Sequence, residues 1–178
     1  MMKMMNYLLH LRKMIQMNEL IFNFKEIRSK VIKKYMQEAN IEKAVCFSCG
    51  NASKALINAG VNTLDISPTG ELQANKWYTP AEVAHTFPNH FDATSGHLPL
   101  HLMIDIAKAF KNELGKLAED KYLVPTGSGE TITCLNIAYK DIEFVPVYNK
   151  DAATEYSDQA PLNNIVLNTA KEIKGLYS

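Results

Sequence analysis

The sequence has no net charge, few cysteines and no long apolar run. Lys and Arg together number 19, as do Asp and Glu, which argues against a nucleic-acid-binding protein that relies on a broad basic surface. No apolar stretch approaches the roughly 18 residues that a membrane span needs. Three cysteines are an odd count without a disulfide pattern, which fits a reducing compartment. We therefore expect a cytoplasmic protein that binds neither nucleic acid nor membrane.

Internal repeats, low-complexity segments and a convincing signal peptide are also missing. The methionine-rich start contains Lys3, His10, Arg12 and Lys13 among its apolar residues, whereas a signal peptide has an uninterrupted apolar centre. The 178 residues are 47% apolar, which is enough for a proper core in one domain or two small lobes.

The chain divides into three parts. Residues 1–22 predict a helical segment that packs on the body or on a partner, because Met4, Leu8, Leu11 and Ile15 recur at near-helical spacing. Residues 23–148 predict an α/β body with two small lobes. Residues 149–178 predict a polar linker and then a terminal helix from Pro161 to Leu176.

Helical and strand patterns alternate through the body. Its first half predicts a helix over 24–39, a strand over 44–47, a helix over 54–59 and a strand over 61–66. The first of these helices should bury the apolar stripe Ile27, Val31, Tyr35 and Ala39. A strand, a helix and a second strand in this order predict a parallel pair with a right-handed crossover.

The second half repeats the alternation. A short helix should begin at Thr79-Pro80. A longer helix over 98–114 should bury Leu102, Ile106, Ala109 and Phe110 and end at Gly115. A strand over 122–124, a helix over 131–139 and a strand over 143–148 follow. The fold class is therefore α/β, with a parallel sheet or sheets and helices on both faces.

Two groups of residues suggest metal or redox chemistry, and we expect neither to serve it. Cys46 and Cys49 form a C-x-x-C, but Cys46 lies within a strand pattern and there is no second pair. The histidines lack an accompanying carboxylate or cysteine in metal-ligand spacing, so ordinary polar or capping roles are favoured. They are His85, His90, His97 and His101.

The most informative segment runs from Lys121 to Leu135. A short strand pattern ends at Pro125, Thr126-Gly127-Ser128-Gly129-Glu130-Thr131 follows, and a helix pattern comes next. A glycine loop between a strand and a helix offers backbone N–H groups and a helix N-terminus to an anion. We therefore predict that this loop binds a phosphate. A second glycine loop lies at Asp92–His97.

Lys25 lies in the first turn of the helix over 24–39. The helix dipole is positive there, so a lysine is unusual at this position. Two interpretations remain open. Lys25 is an ordinary solvated lysine, or it is an amine nucleophile whose pKa is lowered by the helix N-terminus and by partial burial.

Three segments together resemble the fold-type II pyridoxal-phosphate-dependent enzymes, the group of tryptophan synthase β, cysteine synthase and threonine dehydratase. They are Asn23-Phe24-Lys25-Glu26-Ile27-Arg28, Ser48-Cys49-Gly50-Asn51-Ala52-Ser53 and Thr126-Gly127-Ser128-Gly129-Glu130-Thr131. The order of the segments and the spacing from Lys25 to Asn51 are similar to those of the family. The resemblance covers residues 25–148, in a shortened form.

The resemblance implies a role for each matching residue. Lys25 would be the Schiff-base lysine and Asn51 would bond the ring hydroxyl of pyridoxal 5′-phosphate. The substrate carboxylate would be held by backbone N–H groups at Ser48, Gly50, Ala52 and Ser53. The phosphate would be cradled by Gly127, Ser128, Gly129 and Thr131. The implied protein is a homodimeric lyase or β-replacement enzyme that acts on a small amino acid.

Two departures from the family keep other functions open. Glu130 stands where the family has a small residue, and a carboxylate beside a phosphate is repulsive unless it points away. After Tyr148 there is no sign of the strand that would face the pyridine nitrogen. The alternative is a non-catalytic descendant that serves as a small-anion-binding or assembly module. A Rossmann-like nucleotide-binding domain would need an acidic ribose partner, for which Asp65 is a candidate.

Overall fold

The computed structural model describes residues 22–47, 51–66, 78–148 and 172–176. These ranges form a mixed α/β structure with short parallel strands in small sheets. In chain order the elements are α1 (Phe24–Glu38), β1 (Ala44–Cys46), α2 (Asn51–Asn58), β2 (Thr63–Asp65), α3 (Pro80–Thr86), β3 (Phe91–Asp92), α4 (Leu100–Leu114), β4 (Lys121–Thr126), α5 (Glu130–Ala138) and β5 (Glu143–Tyr148).

Helix α1 begins where the sequence predicts, but it buries a different face. Asn23 caps it by accepting a hydrogen bond from the Glu26 N–H at 3.1 Å. The predicted apolar stripe is confirmed in part, because Ile27, Val31 and Tyr35 are half-buried and pack against the core, whereas Ala39 is exposed. The buried residues are Arg28, Ser29, Ile32 and Met36. The buried face contains an arginine and a serine, so apolar spacing alone could not identify it.

The first sheet has the strand order β2-β1-β3, and β1 pairs in parallel with both neighbours. The chain passes from β1 to β2 through α2 and then returns past β1 to β3 through α3. The parallel β1–α2–β2 unit was predicted from the sequence and is confirmed. Because β2 and β3 lie on opposite sides of β1, the strand order reverses there and creates a topological switch point between β1 and β3. Open α/β sheets bind ligands at such a point, beyond the carboxyl ends of their strands.

The side chains of β1 alternate between two hydrophobic clusters. Ala44 and Cys46 pack with residues of α1, α2, α4 and α5. Val45 and the following Phe47 pack instead with Ile66 and with Val83 of α3. Because successive side chains of a strand point to opposite faces, α3 lies across the sheet from the other helices.

Strand β3 was missed by the sequence analysis, which placed Asp92 in a loop. Phe91 and Asp92 instead pair in parallel with Ala44 and Val45 of β1. Two residues are too few to show a strand periodicity. The consequence is functional, because the second glycine loop now begins at the carboxyl end of a strand next to β1.

The second sheet consists of β4 and β5, joined through α5. The two strands are parallel from Lys121↔Glu143 to Thr126↔Tyr148. The predicted strand over 122–124 was too short because Pro125 was taken as its end. Proline lacks an N–H but is tolerated in an edge strand, and both strands of a two-stranded sheet are edges.

Helix α4 begins at Leu100, with Pro99 as its N-cap residue, and not at Leu98 as the pattern predicted. It ends at Gly115, whose φ of 63° suits glycine. Its buried residues include Ala107 in place of the predicted Ala109. It packs against α1 and α5, and these three helices contribute to one hydrophobic cluster.

The predicted N-terminal helix over 1–22, the linker over 149–159 and most of the terminal helix lie outside the described residues. At the start of the last described range, Ile173 packs against the core. Lys174 donates hydrogen bonds to the Asn136 side chain at 2.8 Å and to the Ile142 carbonyl at 2.6 Å. Within the described ranges, no helix is long and apolar enough to cross a membrane.

Candidate functional site

The predicted phosphate loop joins β4 to α5, and we call Gly127, Ser128 and Gly129 the β4 loop. Gly129 is the N-cap residue of α5 and has a φ of 90°, a conformation that favours glycine. Gly129 has no side chain to cap the helix, and the Glu130 N–H makes only a long contact of 3.5 Å with Ser128 Oγ. A Cβ added at Gly127 would meet no described atom within 4 Å. The loop thus presents backbone N–H groups at a helix N-terminus, with space beside them.

Glu130 follows the β4 loop and is buried, with 4% of its surface exposed. Its Oε1 accepts a hydrogen bond from Arg28 Nε at 2.8 Å. Its Oε2 accepts one from the Gly96 N–H at 3.2 Å. The carboxylate is therefore bound by α1 and by the second glycine loop. Pairing with the guanidinium neutralises the charge that would otherwise repel a phosphate.

Arg28 is the partner that makes this arrangement possible. Besides Glu130, it binds the Ala93 carbonyl, to which Nη2 donates at 2.7 Å. Burial alone would lower the pKa of the guanidinium, but the adjacent Glu130 carboxylate more than offsets this and raises it above its ordinary value. Nη1 is buried without a hydrogen-bond partner among the described residues. Arg28 is therefore a buried cation with one unsatisfied nitrogen.

The second glycine loop follows β3, and we call residues 93–98 the β3 loop. Its conformation is held by hydrogen bonds to the side chains of Asp92, at the end of β3, and of Thr94. Asp92 Oδ1 accepts the Thr94 N–H at 3.0 Å, and Asp92 Oδ2 lies 2.8 Å from His97 Nδ1. Thr94 Oγ1 accepts the Phe47 N–H at 2.9 Å. The last bond ties the β3 loop to the carboxyl end of β1, at the switch point of the sheet.

The two loops are in contact. Gly96 has a φ of 90°, and a Cβ added there would lie 3.5 Å from the Ser128 Cβ. The Gly96 N–H also reaches Glu130. The β3 loop at the switch point of the first sheet therefore lies next to the β4 loop of the second sheet.

Lys25 lies exposed in the first turn of α1, one turn before Arg28. Its backbone carbonyl accepts a hydrogen bond from Ser29 Oγ at 2.7 Å. Because Arg28 contacts the first residue of α5, the start of α1 lies near the β4 loop. The two sequence segments that contain Lys25 and the β4 loop thus meet through a residue pair that was not predicted.

The residues expected to bind substrate lie around the start of α2. Ser48 and Gly50 are outside the described residues. Asn51 is exposed as the first residue of α2, whereas Ala52 and Ser53 are buried. Ser53 Oγ donates to the Cys46 carbonyl at 3.5 Å. The Ser53 side chain therefore holds α2 against β1, and a ligand would meet this segment through its first N–H groups.

Within the phosphate segment, Thr131 is half-buried in the first turn of α5. Ser128 Oγ accepts the Glu130 N–H at 3.5 Å. Thr126 Oγ1 donates to the Val124 carbonyl at 2.8 Å. The Thr126 hydroxyl donates to the backbone, whereas the Ser128 oxygen accepts and keeps its O–H as a donor, so the Ser128 hydroxyl and the backbone N–H groups are the candidate anion donors.

The cysteines in the described ranges have the environment of structural residues. Cys46 and Cys134 are buried thiols, and Cys46 Sγ donates to the Ala93 carbonyl at 3.6 Å. Burial raises the pKa of the Cys134 thiol well above its ordinary value, with a further contribution from Glu130. A thiol held in its neutral form is a poor nucleophile and a poor metal ligand. No group of three His, Cys, Asp or Glu residues in the described part of the chain could hold a metal ion.

Sequence reasoning missed two side-chain pairs of this site, Arg28 with Glu130 and Asp92 with His97. Arg28 lies on the same face as Ile32 and Met36, and a charge on a buried face signals a buried partner. Asp92 and His97 flank a Thr-Ser-Gly turn directly after β3, but the strand itself was missed. Neither a protein-family model nor a curated protein matches the chain. The function is therefore argued from the geometry of the site.

Proposed function

We propose that this chain binds pyridoxal 5′-phosphate through Lys25 and the β4 loop. In this proposal it is a homodimeric lyase or β-replacement enzyme that acts on a small amino acid. Its architecture is a shortened form of the tryptophan synthase β fold, with helices on both faces of its sheets. One observation carries the proposal: the Glu130 carboxylate is bound by Arg28 and by Gly96, outside the β4 loop.

This observation removes the main chemical objection. An unpaired carboxylate next to the loop would repel a phosphate. A carboxylate that accepts a charge-assisted hydrogen bond from a buried guanidinium contributes little net charge. The N-terminus of α5, where the Glu130 N–H makes only a long contact with Ser128 Oγ at 3.5 Å, can then attract an anion through its N–H groups and its dipole.

The same ion pair supports Lys25 as part of the site. Arg28 and Lys25 are separated by one turn of α1, and residues three apart on a helix are neighbours on its surface. Arg28 holds the residue that directly follows the β4 loop. This contact brings the start of α1 close to the start of α5, although the two segments are about a hundred residues apart in the sequence, and it supports a site that includes Lys25.

Each residue of the candidate site has a defined role in this proposal. Lys25 would bind the cofactor as a Schiff base and transfer the Cα proton, and Asn51 would form a hydrogen bond with the ring hydroxyl. The β4 loop and Thr131 would bind the phosphate. The first N–H groups of α2, next to Ala52 and Ser53, would orient the substrate carboxylate. When bound, the cofactor supplies an electron sink for carbanion chemistry at Cα.

The test is a spectroscopic titration of the purified protein with pyridoxal 5′-phosphate. We expect a near-visible absorption band in the wild type that is absent in Lys25→Ala. Lys34→Ala is the matched control, because Lys34 is an exposed lysine of the same helix; it should keep the band. If the wild type and Lys25→Ala behave alike, the enzyme function is wrong.

A non-catalytic descendant is the second candidate, and the exposure of Lys25 favours it. A nucleophilic lysine usually needs a desolvated site that lowers its pKa. In this case the β4 loop binds a small anion without any reaction at Lys25. A thermal-shift screen separates the two functions: phosphate or a nucleotide would stabilise the protein, and pyridoxal phosphate would give no lysine-dependent band.

A further inference from the structure

The Asp92–His97 pair has no task in the proposed function, yet it is arranged as a catalytic pair would be. The His97 side chain is 4% exposed, and its Nδ1 lies 2.8 Å from Asp92 Oδ2. The His97 N–H donates to the Thr94 carbonyl at 3.0 Å. Both the ring and the backbone of His97 are therefore fixed.

Asp92 determines which ring nitrogen carries the proton. An ionised carboxylate can only accept hydrogen bonds, so Nδ1 must be the donor at this contact. The other carboxylate oxygen accepts the Thr94 N–H, which prevents the carboxylate from turning away. The neutral imidazole then has its lone pair on Nε2. Among the described residues, Nε2 has no recorded hydrogen-bond partner.

The pair lies at the candidate site. Asp92 is at the carboxyl end of β3, beside the switch point between β1 and β3. The neighbour of His97, Gly96, approaches Ser128 of the β4 loop and donates to Glu130. His97 is therefore on a loop that contacts both the switch point and the β4 loop.

We propose that His97 is a general base of this site and that Asp92 is its positioning residue. Nε2 takes the proton of a substrate or of an incoming nucleophile, the electron pair of the broken bond stays with that molecule, and Asp92 balances the charge of the imidazolium that forms. The identity of the ligand rests on the proposed function, whereas the orientation of the imidazole does not.

The test uses the full chain labelled with 15N and long-range proton–nitrogen NMR of its imidazoles, recorded at alkaline pH. In the wild type we expect His97 to be mostly the Nδ1–H tautomer. In Asp92→Asn the amide oxygen can keep the Thr94 N–H while its NH2 group faces Nδ1. The tautomer population should then invert to mostly Nε2–H. The exposed His101 is the internal control and should not change.

Pyridoxal 5′-phosphate is then added to the wild type. We expect the His97 Nε2 resonance to shift and that of His101 to stay unchanged. An Nε2–H tautomer in the wild type would overturn the proposal without any variant, even if Asp92→Asn does not fold. An unmoved Nε2 alongside a Lys25-dependent band would remove His97 from the site and leave the proposed function intact. Without a band, the proposed function fails while the positioning of His97 by Asp92 stands.

Discussion

The β3 loop and the β4 loop have similar backbones but differ in what their N–H groups bind. Each follows a parallel strand, precedes a helix and contains a glycine with a φ of 90°. Two N–H groups of the β3 loop are already bound by carboxylates of the protein: Glu130 accepts the Gly96 N–H and Asp92 accepts the Thr94 N–H. At the β4 loop the corresponding contact is weaker, because Ser128 Oγ accepts the Glu130 N–H at 3.5 Å, the long limit of a hydrogen bond.

The difference teaches where an external anion can bind. Glu130 acts as an internal anion for the β3 loop and, by the same contact, takes its own charge away from the β4 loop. Arg28 makes this possible by pairing with it in the interior. The Glu130 carboxylate therefore binds the Gly96 N–H of the β3 loop and, paired with Arg28, does not oppose the binding of an anion at the β4 loop.

The largest expected effect comes from removing the internal anion. Glu130→Ala leaves Arg28 buried without a counter-charge, and breaking a buried pair in this way costs about 3–5 kcal/mol. The free energy of unfolding, measured with urea, should fall by that amount. Glu38→Ala is the control, because its exposed pair with Lys34 contributes only about 0.3–0.5 kcal/mol. Equal losses in the two variants would contradict the role of Glu130.

A double replacement should recover part of this loss. Arg28→Met combined with Glu130→Leu removes both charges, which is far less costly than leaving one of them buried. The Gly96 N–H and the Ala93 carbonyl would still lose partners, so we expect a net loss of about 1–3 kcal/mol. Urea unfolding of both single variants and the double variant completes the cycle. Additive losses would show that the two residues do not act as a pair.

The two glycines of the β4 loop should respond differently to alanine. Gly129→Ala places a side chain in a left-handed conformation and should cost about 1–2 kcal/mol. Gly127→Ala meets open space and should change the free energy of unfolding by less than about 0.5 kcal/mol. Its Cβ would nevertheless occupy the space offered to a ligand. We expect weaker binding of inorganic phosphate by titration calorimetry, and unchanged binding would place the anion elsewhere.

Most helices and strands could be predicted because their signals are local. The Thr79 cap, the glycine stop at Gly115 and the β5 pattern each depend on a few neighbouring residues. The buried face of α1 could not be predicted, because Arg28 is buried by a partner 102 positions away. Strand β3 was too short to recognise.

The site was predicted in part for the same reason. The β4 loop follows from its glycines, and Glu130 was recognised as unusual from its chemistry alone. The partners that bind its carboxylate, Arg28 and the Gly96 N–H, are distant in the sequence and could be identified only from the tertiary structure. The assignments of Lys25 and Asn51 to a cofactor remain predictions.

The most direct test of the account is a titration of 15N-labelled protein with inorganic phosphate, followed by amide NMR. The account predicts that the amide signals of Gly127, Ser128, Gly129 and Thr131 shift in a saturable way, because these N–H groups are available to an anion. The Gly96 signal should stay in place, because its N–H is already bound to Glu130. Shifts at Gly96 without shifts in the β4 loop would contradict the central claim.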